Sequence, residues 1–389
     1  MFRFSAPPPL ALYIHLPWCV RKCPYCDFNS HAAPQALPEQ AYVDALLRDL
    51  DGEVAAVGER EVQSIFLGGG TPSLFSPDAI ARLLAGVRER LRVAADVEIT
   101  LEANPGTVEQ ARFEGYRHAG VNRLSIGIQS FAPAQLRALG RIHGRDEALR
   151  AAQAARDAGF DNFNLDLMYG LPEQSPEGAL ADLEQAIELN PTHISHYQLT
   201  LEPNTLFHAR PPRLPDDDTL FEMQVACQEL LARTGYAQYE VSAYAQPGRR
   251  CRHNLNYWLF GDYLGIGTGA HGKLTDCERG TIERAWKLKH PREYLARAGT
   301  PAACGGRQRL TPADAVFEFA LNALRLNEGF PRALYHARTG LPWEPFAAPV
   351  EQAVARGWLT MTDEWIRPTT EGRLFLNELL ELFLPPDGA

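Results

Sequence analysis

Three cysteines near the start of the chain have the types and spacing that most clearly imply chemistry. Cys19, Cys23 and Cys26 are spaced C-x3-C-x2-C in the stretch YIHLPWCVRKCPYC, directly after an apolar run. One short loop can therefore bring three thiolates to a single metal centre. Position 28, where a further cysteine could complete a tetrahedral set, is Phe28. The loop is one protein ligand short of a closed site.

Two kinds of metal centre fit three clustered thiolates. An iron-sulfur cubane held by three cysteines leaves one iron open for an exchangeable ligand. A structural zinc site needs a fourth protein ligand, which His31 could supply. Three ordinary thiols are the remaining interpretation. Three cysteines within eight residues of a long chain that has few others favour the cluster.

A glycine-rich loop, GGGTP at residues 68–72, follows the second strand-like run of the chain. Glycines let backbone N–H groups approach a ligand closely, and Thr71 adds a hydroxyl group. A plain turn would explain an isolated loop of this kind as well. Its position after a strand, in a chain whose first loop carries three cysteines, favours ligand binding.

Polar side chains end three further strand-like runs. Glu102 ends the third run in LEANP, Gln129 follows the fourth in SIGIQS, and Asp166 lies in the fifth in NLDLMYG. Burying such a group costs free energy unless it has a partner, and a bound ligand is one such partner. Each could singly be a capping or turn residue, but three successive strand ends indicate a shared site. Arg141, in GRIHGR, could bind a carboxylate bidentately or lie solvated at the surface.

A basic and aromatic segment in the second half of the chain suits haem. RRCRHNLNYW at residues 249–258 includes Cys251 and His253, and His271 follows in GDYLGIGTGAHGK. An imidazole or thiolate can bind haem iron, aromatic rings can pack on the macrocycle, and guanidinium groups can pair with propionates. A basic loop with packed aromatics and a capped histidine would explain the same composition.

The elements that must position these residues follow a repeating pattern. Strand-like runs occupy residues 10–16, 62–67, 97–103, 123–128, 162–168 and 193–199, with helical patterns between them at 41–57, 79–91 and 146–158. A capping box, Thr107-x-x-Gln110, precedes another helix. This alternation predicts a parallel β/α array that right-handed crossovers curl into a barrel or partial barrel. Active sites of such folds lie at the carboxyl ends of the strands, where most candidate residues fall.

Composition limits the class of protein. The 389 residues, 45% of them apolar, predict a globular chain of two or three domains. A net charge of -10 without long runs of one sign argues against nucleic-acid binding. Seven cysteines, an odd number, do not suggest a disulfide framework, so we expect a reducing cytoplasm. The proline-broken start predicts neither a signal peptide nor a membrane span, and transient contact with membrane-associated partners stays compatible with it.

The order of the motifs resembles a known family. YIHLPWCVRKCPYC, GGGTPS, LEANP, GIQS and MYGLP, over residues 13–172, are similar to the radical S-adenosylmethionine (SAM) superfamily and, within it, to the anaerobic coproporphyrinogen oxidases and their relatives. The resemblance implies an α/β fold with a radical SAM partial (β/α)6 barrel, and a [4Fe-4S] cluster on the three cysteines whose open iron binds SAM. It places SAM contacts on Tyr13, Tyr25, Gly69, Gly70, Thr71, Glu102, Gln129, Arg141 and Asp166, with Thr200 as a further candidate.

The resemblance also implies a role for each of these residues. The glycine loop would meet the amino group of the methionine part of SAM, and Arg141 would bind its carboxylate. Gln129 and Asp166 would bind the ribose, and Tyr25 would pack on adenine. A tyrosine between two cluster ligands could instead pack beneath the loop.

A second signature separates two groups within this family. HN-x-x-YW at residues 253–258 resembles HemW-type haem chaperones rather than true oxidases, and it implies haem binding by His253, Asn254, Tyr257 and Trp258, with Cys251 and His271 as weaker candidates. Oxidases have a further cysteine where this chain has Phe28, and an N-terminal extension where it has only the segment before Leu10.

These departures imply a protein without coproporphyrinogen oxidase activity. Its role in porphyrin metabolism would be to bind haem and deliver it to haem-dependent proteins such as respiratory enzymes. SAM would then be a structural or regulatory cofactor, or would support a chemistry that the sequence does not specify. The alternative is an oxygen-independent coproporphyrinogen III oxidase, which uses radical SAM chemistry for oxidative decarboxylation.

We expect three domains. Residues 1–205 form the barrel with its cluster and SAM sites, 206–305 an extension with the haem segment, and 306–389 an α+β part with a winged-helix-like module. The third rests on amphipathic patterns at 315–325 and 343–356, a hairpin in WLTMTDEWIRPTTEG and a last helix at 375–383. Because it lacks a basic stripe, a cover over the barrel mouth or a partner surface is expected rather than DNA binding.

Overall fold

The structure, a computed structural model, describes residues 2–105 and 109–385. The strands are β1 (Leu10–Leu16), β2 (Trp18–Cys19), β3 (His31–Ala32), β4 (Glu61–Gly69), β5 (Arg92–Ala103), β6 (Arg123–Gln129), β7 (Phe163–Tyr169), β8 (His193–Gln198), β9 (Ala237–Glu240), β10 (Ala243–Ala245), β11 (Asp262–Gly267), β12 (His271–Asp276), β13 (Thr281–Lys287), β14 (Cys304–Arg309), β15 (Phe330–Pro331), β16 (Leu359–Met361) and β17 (Trp365–Pro368). The predicted cap at Thr107 lies outside the described residues.

Helices connect these strands. They are α1 (Glu39–Asp51), α2 (Val54–Val57), α3 (Pro77–Arg90), α4 (Glu109–His118), α5 (Pro133–Ala138), α6 (Arg145–Asp157), α7 (Pro176–Glu188), α8 (Leu206–Ala209), α9 (Asp217–Arg233), α10 (Arg252–Trp258), α11 (Pro291–Arg297), α12 (Pro312–Ala323), α13 (Arg332–Thr339), α14 (Glu344–Ala355), α15 (Thr370–Leu374) and α16 (Leu376–Glu381). None of the helices in the described part of the chain has the length and apolar character that a bilayer-spanning helix requires.

The six predicted strands are confirmed as β1, β4, β5, β6, β7 and β8, which pair in parallel in that order. Their apolar side chains are buried on both faces, as a parallel sheet covered by helices requires. The connecting helices show why the sequence folds this way. In α3, Ser76 accepts the N-cap hydrogen bond from the Ala79 N–H at 3.3 Å, and Pro77 follows it. The core-facing residues of α3 are Ile80, Leu83, Leu84 and Val87.

The sheet continues beyond the six predicted strands. It has twelve strands in the order β14-β13-β12-β11-β1-β4-β5-β6-β7-β8-β10-β9. Strand β11 pairs in parallel with β1, although it follows the segment where the alternation of strand and helix stops. Its glycines permit the close approach of both neighbouring strands. A Cβ at Gly265 would lie 2.0 Å from the His271 carbonyl oxygen on β12, and one at Gly267 would lie 2.4 Å from the His15 carbonyl oxygen on β1. The domain boundaries at 205 and 305 stay a prediction.

The C-terminal part has a core of its own. Around Phe319, the rings of Phe330, Tyr335 and Phe346 pack edge to face at centroid distances of 5.1, 5.3 and 5.5 Å. The elements follow the order helix, strand, helix, helix, strand, strand, from α12 to β17, and the three strands form one small sheet. The predicted helices and hairpin are confirmed, and the winged-helix-like description stays a prediction.

Buried ion pairs join the sheet extension to the barrel. The Lys287 Nζ on β13 lies 2.6 Å from the Asp49 Oδ1 on α1 and 2.6 Å from the Glu53 carboxylate. Asp49 also accepts hydrogen bonds from the Tyr294 hydroxyl at 2.8 Å and the Gly267 N–H at 3.2 Å. One carboxylate therefore satisfies three donors from the extension.

Asp49→Ala should lower the free energy of unfolding by about 3 to 5 kcal/mol, because it leaves buried donors without their shared acceptor. Asp51→Ala, on the same helix, is the matched control. Asp51 is 54% exposed and pairs with Arg90 at 2.7 Å, so its loss should cost less than about 1 kcal/mol. Urea unfolding measures both variants. Equal effects would mean that Asp49 does not hold the extension to the barrel.

Candidate functional site

A cavity of about 590 Å³, here called the first cavity, opens at the carboxyl ends of the parallel strands. The predicted cluster and SAM residues that line it are Cys19, Cys23, Cys26, Tyr13, Tyr25, Gly69, Gly70, Thr71, Glu102, Gln129, Arg141, Asp166 and Thr200. The structure thus brings all of them to one place. Their roles as ligands stay predictions.

The cluster loop, residues 19–31, is closed at its base by a short parallel ladder. Strand β2 pairs with β3, with Trp18 opposite His31. Within the loop each thiol has a polar neighbour. The Thr71 hydroxyl donates to the Cys19 Sγ at 3.5 Å, the Arg141 Nη1 donates to the Cys23 Sγ at 3.7 Å, and the Cys26 Sγ lies 3.9 Å from the Ser30 Oγ.

Burial raises the pKa of the Cys19 thiol, and the hydrogen bond from Thr71 partly offsets this. Burial likewise raises the pKa of Cys26, against a backbone hydrogen bond from Phe28. Both groups are therefore thiols rather than thiolates in the absence of a metal centre. Because metals bind the thiolate, loading this site must release protons.

The three thiols suit a cluster better than a single ion. In the part of the chain that the structure describes, no three His, Cys, Asp or Glu side chains gather closely enough for one metal ion. A cubane binds each cysteine through a different iron, so its ligands need only surround a common space. The zinc alternative needs His31, whose Nε2 lies 3.2 Å from both the Asn29 Oδ1 and the Lys289 carbonyl oxygen. The donor set fits a [4Fe-4S] cluster held by three cysteines.

The glycine loop packs tightly against β1 and the cluster loop. Gly69 has a φ of 111°, and a Cβ there would lie 2.4 Å from the His15 ring. The N–H groups of the loop already have acceptors: Gly69 donates to Glu102 at 3.1 Å, Gly70 to the Leu16 carbonyl at 2.8 Å, and Thr71 to the Trp18 carbonyl at 2.8 Å. These amides therefore have acceptors within the protein, and the contact of the loop with a ligand stays a prediction. An ammonium group is a donor and needs acceptors instead.

Two half-buried carboxylates, Glu102 and Asp166, interact electrostatically inside the barrel. Burial and the nearby Asp166 raise the pKa of Glu102 to about 8. Burial also raises the pKa of Asp166, although hydrogen bonds from the Asn164 side chain at 2.8 Å and the Ser125 hydroxyl at 3.1 Å oppose the shift. A cationic ligand between the two carboxylates would stabilise their ionised forms.

Glu102→Gln should flatten the decline of stability with rising pH. Between about pH 4.5 and 8, folded Glu102 holds a proton that the unfolded chain has released, so the stability of the parent falls as pH rises. From pH 5 to 8 the variant should gain roughly 2 to 5 kcal/mol relative to the parent. Urea unfolding across this range measures the difference, with exposed Glu59→Gln as control. A difference in stability between variant and parent that stayed constant from pH 5 to 8 would contradict the raised pKa of Glu102.

Residues that the sequence did not single out complete this site. The Asn104 side chain donates to the Thr71 Oγ1 at 2.8 Å and accepts from the Arg141 Nη2 at 2.5 Å. The Tyr197 hydroxyl donates to the Gln129 Oε1 at 2.8 Å. Asn104 could have been identified from the sequence, because it lies two residues after Glu102 in LEANP. No comparable signal marked Tyr197.

Tyr25 lies against an apolar wall at one side of the first cavity. Its ring centroid is 6.4 Å from that of Phe207, and it packs against a cluster that includes Met168 and Leu199. Gln129 has a φ of 70°, which few non-glycine residues adopt. Both features fit a shaped pocket for a flat heterocycle and its sugar.

The haem segment forms a half-buried helix rather than a surface loop. His253, at the start of α10, is only 1% exposed. Its Nδ1 lies 3.0 Å from the Ser64 hydroxyl and its Nε2 lies 3.0 Å from the Tyr257 hydroxyl. Burial lowers the pKa of His253 to about 3, so the ring is neutral. Ligation of iron by His253 would require one of these hydrogen bonds to break.

Other expected haem contacts in this segment stay predictions, and their surroundings do not favour them. Cys251 is fully buried, and its thiol lies 3.6 Å from the Glu98 Oε1, so it offers no accessible ligand. The arginines are paired with carboxylates rather than free for propionates. These pairs are Arg249 with Asp161, Arg250 with Glu328, and Arg252 with Asp96.

The HN-x-x-YW residues divide between two cavities. His253, Asn254 and Tyr257 line the first cavity. Tyr257 and Trp258 line a neighbouring space of about 720 Å³, here called the second cavity, together with His271. The two cavities share wall residues, Tyr257 among them.

The comparisons with known proteins agree with this architecture. Residues 13–186 match the family model of the radical SAM superfamily, and residues 310–375 match that of the HemN C-terminal domain. The solved structure of the coproporphyrinogen III oxidase HemN from Escherichia coli superposes with a TM-score of 0.82 at 25% identity, over 97% of this chain and 90% of that one. The fold and the three-cysteine cavity are those of a radical SAM protein.

Similar proteins of known name identify the family within the radical SAM proteins. The heme chaperone HemW of Escherichia coli is 56% identical over 377 residues, 97% of this chain and 98% of that protein. HemW of Haemophilus influenzae is 51% identical over 381 residues, with the same two coverages. The mitochondrial radical S-adenosyl methionine domain-containing protein 1 of Mus musculus is 36% identical over 395 residues, 98% of this chain and 88% of that protein. The chain belongs to the HemW family of radical SAM proteins, and this membership brings a [4Fe-4S] cluster and SAM as cofactors.

Proposed function

We propose that this protein is a haem chaperone, which binds haem and delivers it to haem-dependent proteins. The observation that carries the proposal is the 56% identity, over nearly the full length of both chains, to a protein named heme chaperone HemW. The second cavity supports it, because a large aromatic-walled space beside the cluster site suits a flat macrocycle. The seven free cysteines suit a reducing compartment, so we place the protein in the cytoplasm.

The first cavity is proposed to hold the cluster and SAM. Cys19, Cys23 and Cys26 would bind the cluster, which when reduced can supply one electron to a bound sulfonium. Glu102 would accept hydrogen bonds from the amino group of SAM, and its burial makes that interaction strong. Arg141 would bind the carboxylate, because it is a buried guanidinium beside Cys23.

The remaining SAM contacts follow from the shape of the first cavity. Gln129 and Asp166 offer an amide and a carboxylate to the ribose hydroxyls. Tyr25 and its apolar neighbours would pack on adenine. The Tyr13 hydroxyl, 3.0 Å from the His15 Nδ1, would close the inner end of the site.

Haem binding is tested by titrating ferric haem anaerobically into the cluster-loaded protein and following the Soret band by difference absorbance. The proposal predicts saturable binding at one site. The absence of saturable binding would reject it. Incubation with coproporphyrinogen III, SAM and a reductant should give no protoporphyrinogen, whereas steady turnover would establish an oxidase.

We propose respiratory enzymes as recipients, reached through transient contact with membrane-associated partners. Exposed apolar side chains on the C-terminal part support a partner surface there. They are Leu374, Phe375 and Trp365, which are 53%, 44% and 41% exposed. Serine at all three positions should slow haem transfer without weakening haem binding. Unchanged transfer would place the partner surface elsewhere.

A further inference from the structure

We infer that haem occupies the second cavity, with His271 as its axial iron ligand, and that Tyr257 and Trp258 of the HN-x-x-YW segment supply one wall of this site, whereas His253 is not the ligand. The inference rests on the proposed haem binding and assigns it a place. It differs from the sequence-based assignment, in which His253 is the first candidate for the iron.

Three histidines line the second cavity, and they differ in the hydrogen bonds of their rings. His15 is bonded to the Tyr13 hydroxyl at 3.0 Å and the Asn29 carbonyl at 2.9 Å. His31 is bonded to the Asn29 side chain and the Lys289 carbonyl. Among the described residues, no hydrogen bond to the His271 ring is found. A nitrogen of His271 is therefore free to bind iron without loss of an existing bond.

The position of His271 suits an axial ligand. It is the first residue of β12, it is exposed, and its ring stacks on that of Trp286 at 6.0 Å with an angle of 24°. This stacking restrains the imidazole.

The walls of the second cavity are aromatic. Tyr257 and Tyr263 pack edge to face at 4.6 Å, and Trp258 lies beside them. Phe28 stands at the mouth, 58% exposed, where it borders both cavities. A large exposed apolar ring beside polar cluster residues is costly unless a ligand covers it. A flat macrocycle between Phe28 and the tyrosine wall would bury it.

Two exposed lysines, Lys22 and Lys289, line the second cavity, and they could pair with the propionates of a bound haem. Within residues 2–105 and 109–385 neither forms an ion pair, and the Lys22 Nζ only reaches the Phe28 carbonyl at 3.4 Å. The arginines of the 249–258 segment, by contrast, are all paired. Carboxylates at this rim would therefore meet free ammonium groups.

The test compares histidine variants in the anaerobic titration of cluster-loaded protein with ferric haem. His271→Ala should shift the Soret maximum, change the electron paramagnetic resonance signature of the ferric iron, and weaken binding by at least about tenfold, the low end of what disturbing a metal site costs. His118→Ala, which removes an exposed histidine on α4, is the control and should match the parent.

His253→Ala separates the two assignments. If haem sits as inferred, this variant keeps the iron signature of the parent. The inference would be overturned if His271→Ala kept the iron signature of the parent while His253→Ala changed it. Haem binding itself would still stand. If the parent itself binds no haem, the proposed function fails and the placement fails with it.

A second experiment tests the rim. The double variant Lys22→Glu, Lys289→Glu should weaken haem binding by about tenfold or more. The dimethyl ester of haem, which lacks free carboxylates, should bind parent and double variant alike. Loss of haem and ester binding together would mean that the variant has damaged the pocket generally. Unchanged haem binding would mean that Lys22 and Lys289 do not contact the propionates.

Discussion

Single replacement of Cys19, Cys23 or Cys26 by alanine should abolish the cluster. The three thiols surround one side of the first cavity, and each has a polar neighbour that can stabilise its thiolate. With two cysteines left, a cubane would lose one of its three protein ligands, and a second iron would be exposed to solvent. Anaerobic reconstitution followed by iron and sulfide analysis should therefore find almost no cluster, and the broad visible absorbance should disappear.

Cys277→Ala provides the control for this series. Cys277 is partly exposed but lines neither cavity, so its loss should leave the iron and sulfide content at the parent level. Full cluster content in any of the three loop variants would show that the thiol of that residue is not a ligand. Cluster loss in Cys277→Ala would point to oxidation or misfolding rather than ligation.

Gly69→Ala should damage both the fold and the SAM site. A Cβ at Gly69 would lie 2.4 Å from the buried His15 ring, and its φ of 111° already excludes most side chains. His15 cannot move freely, since it is bonded to Tyr13 and to the Asn29 carbonyl of the cluster loop. We expect a loss of about 3 kcal/mol or more in the free energy of unfolding, together with loss of detectable SAM binding by calorimetry.

Gly159→Ala isolates the backbone part of this effect. Gly159 has a φ of 81°, but no atom lies within 4 Å of where its Cβ would be. This variant should lose only about 1 to 2 kcal/mol and should bind SAM like the parent. Equal losses at the two glycines would mean that the contact with His15 does not matter.

The barrel and the first cavity were predictable because their signals are local. Six apolar runs of strand length, with helical patterns between them, predicted the parallel order from β1 to β8. Parallel strands place their carboxyl ends together, so Glu102, Gln129 and Asp166 had to meet. The cysteine spacing then identified the loop that covers them.

The rest depended on contacts between distant parts of the chain. Strand β11 was missed because its glycines give it no apolar periodicity. Glycine is needed at these positions because β1 and β12 approach closely. The burial of His253 depends on Ser64 in β4, 189 residues away. The amides of the glycine loop donate to β1, β2 and Glu102, which no local pattern could reveal.

Transfer of haem to a recipient enzyme is the most direct test of the proposed haem delivery. The cluster-loaded protein, carrying ferric haem, is mixed anaerobically with the haem-free form of a haem-dependent respiratory enzyme, in the presence of excess apomyoglobin as a scavenger of released haem. We expect the enzyme to regain its Soret band and activity despite the scavenger, because haem passes directly between the two proteins. If the scavenger abolished this recovery, or if the enzyme did not recover at all, direct haem transfer would be contradicted.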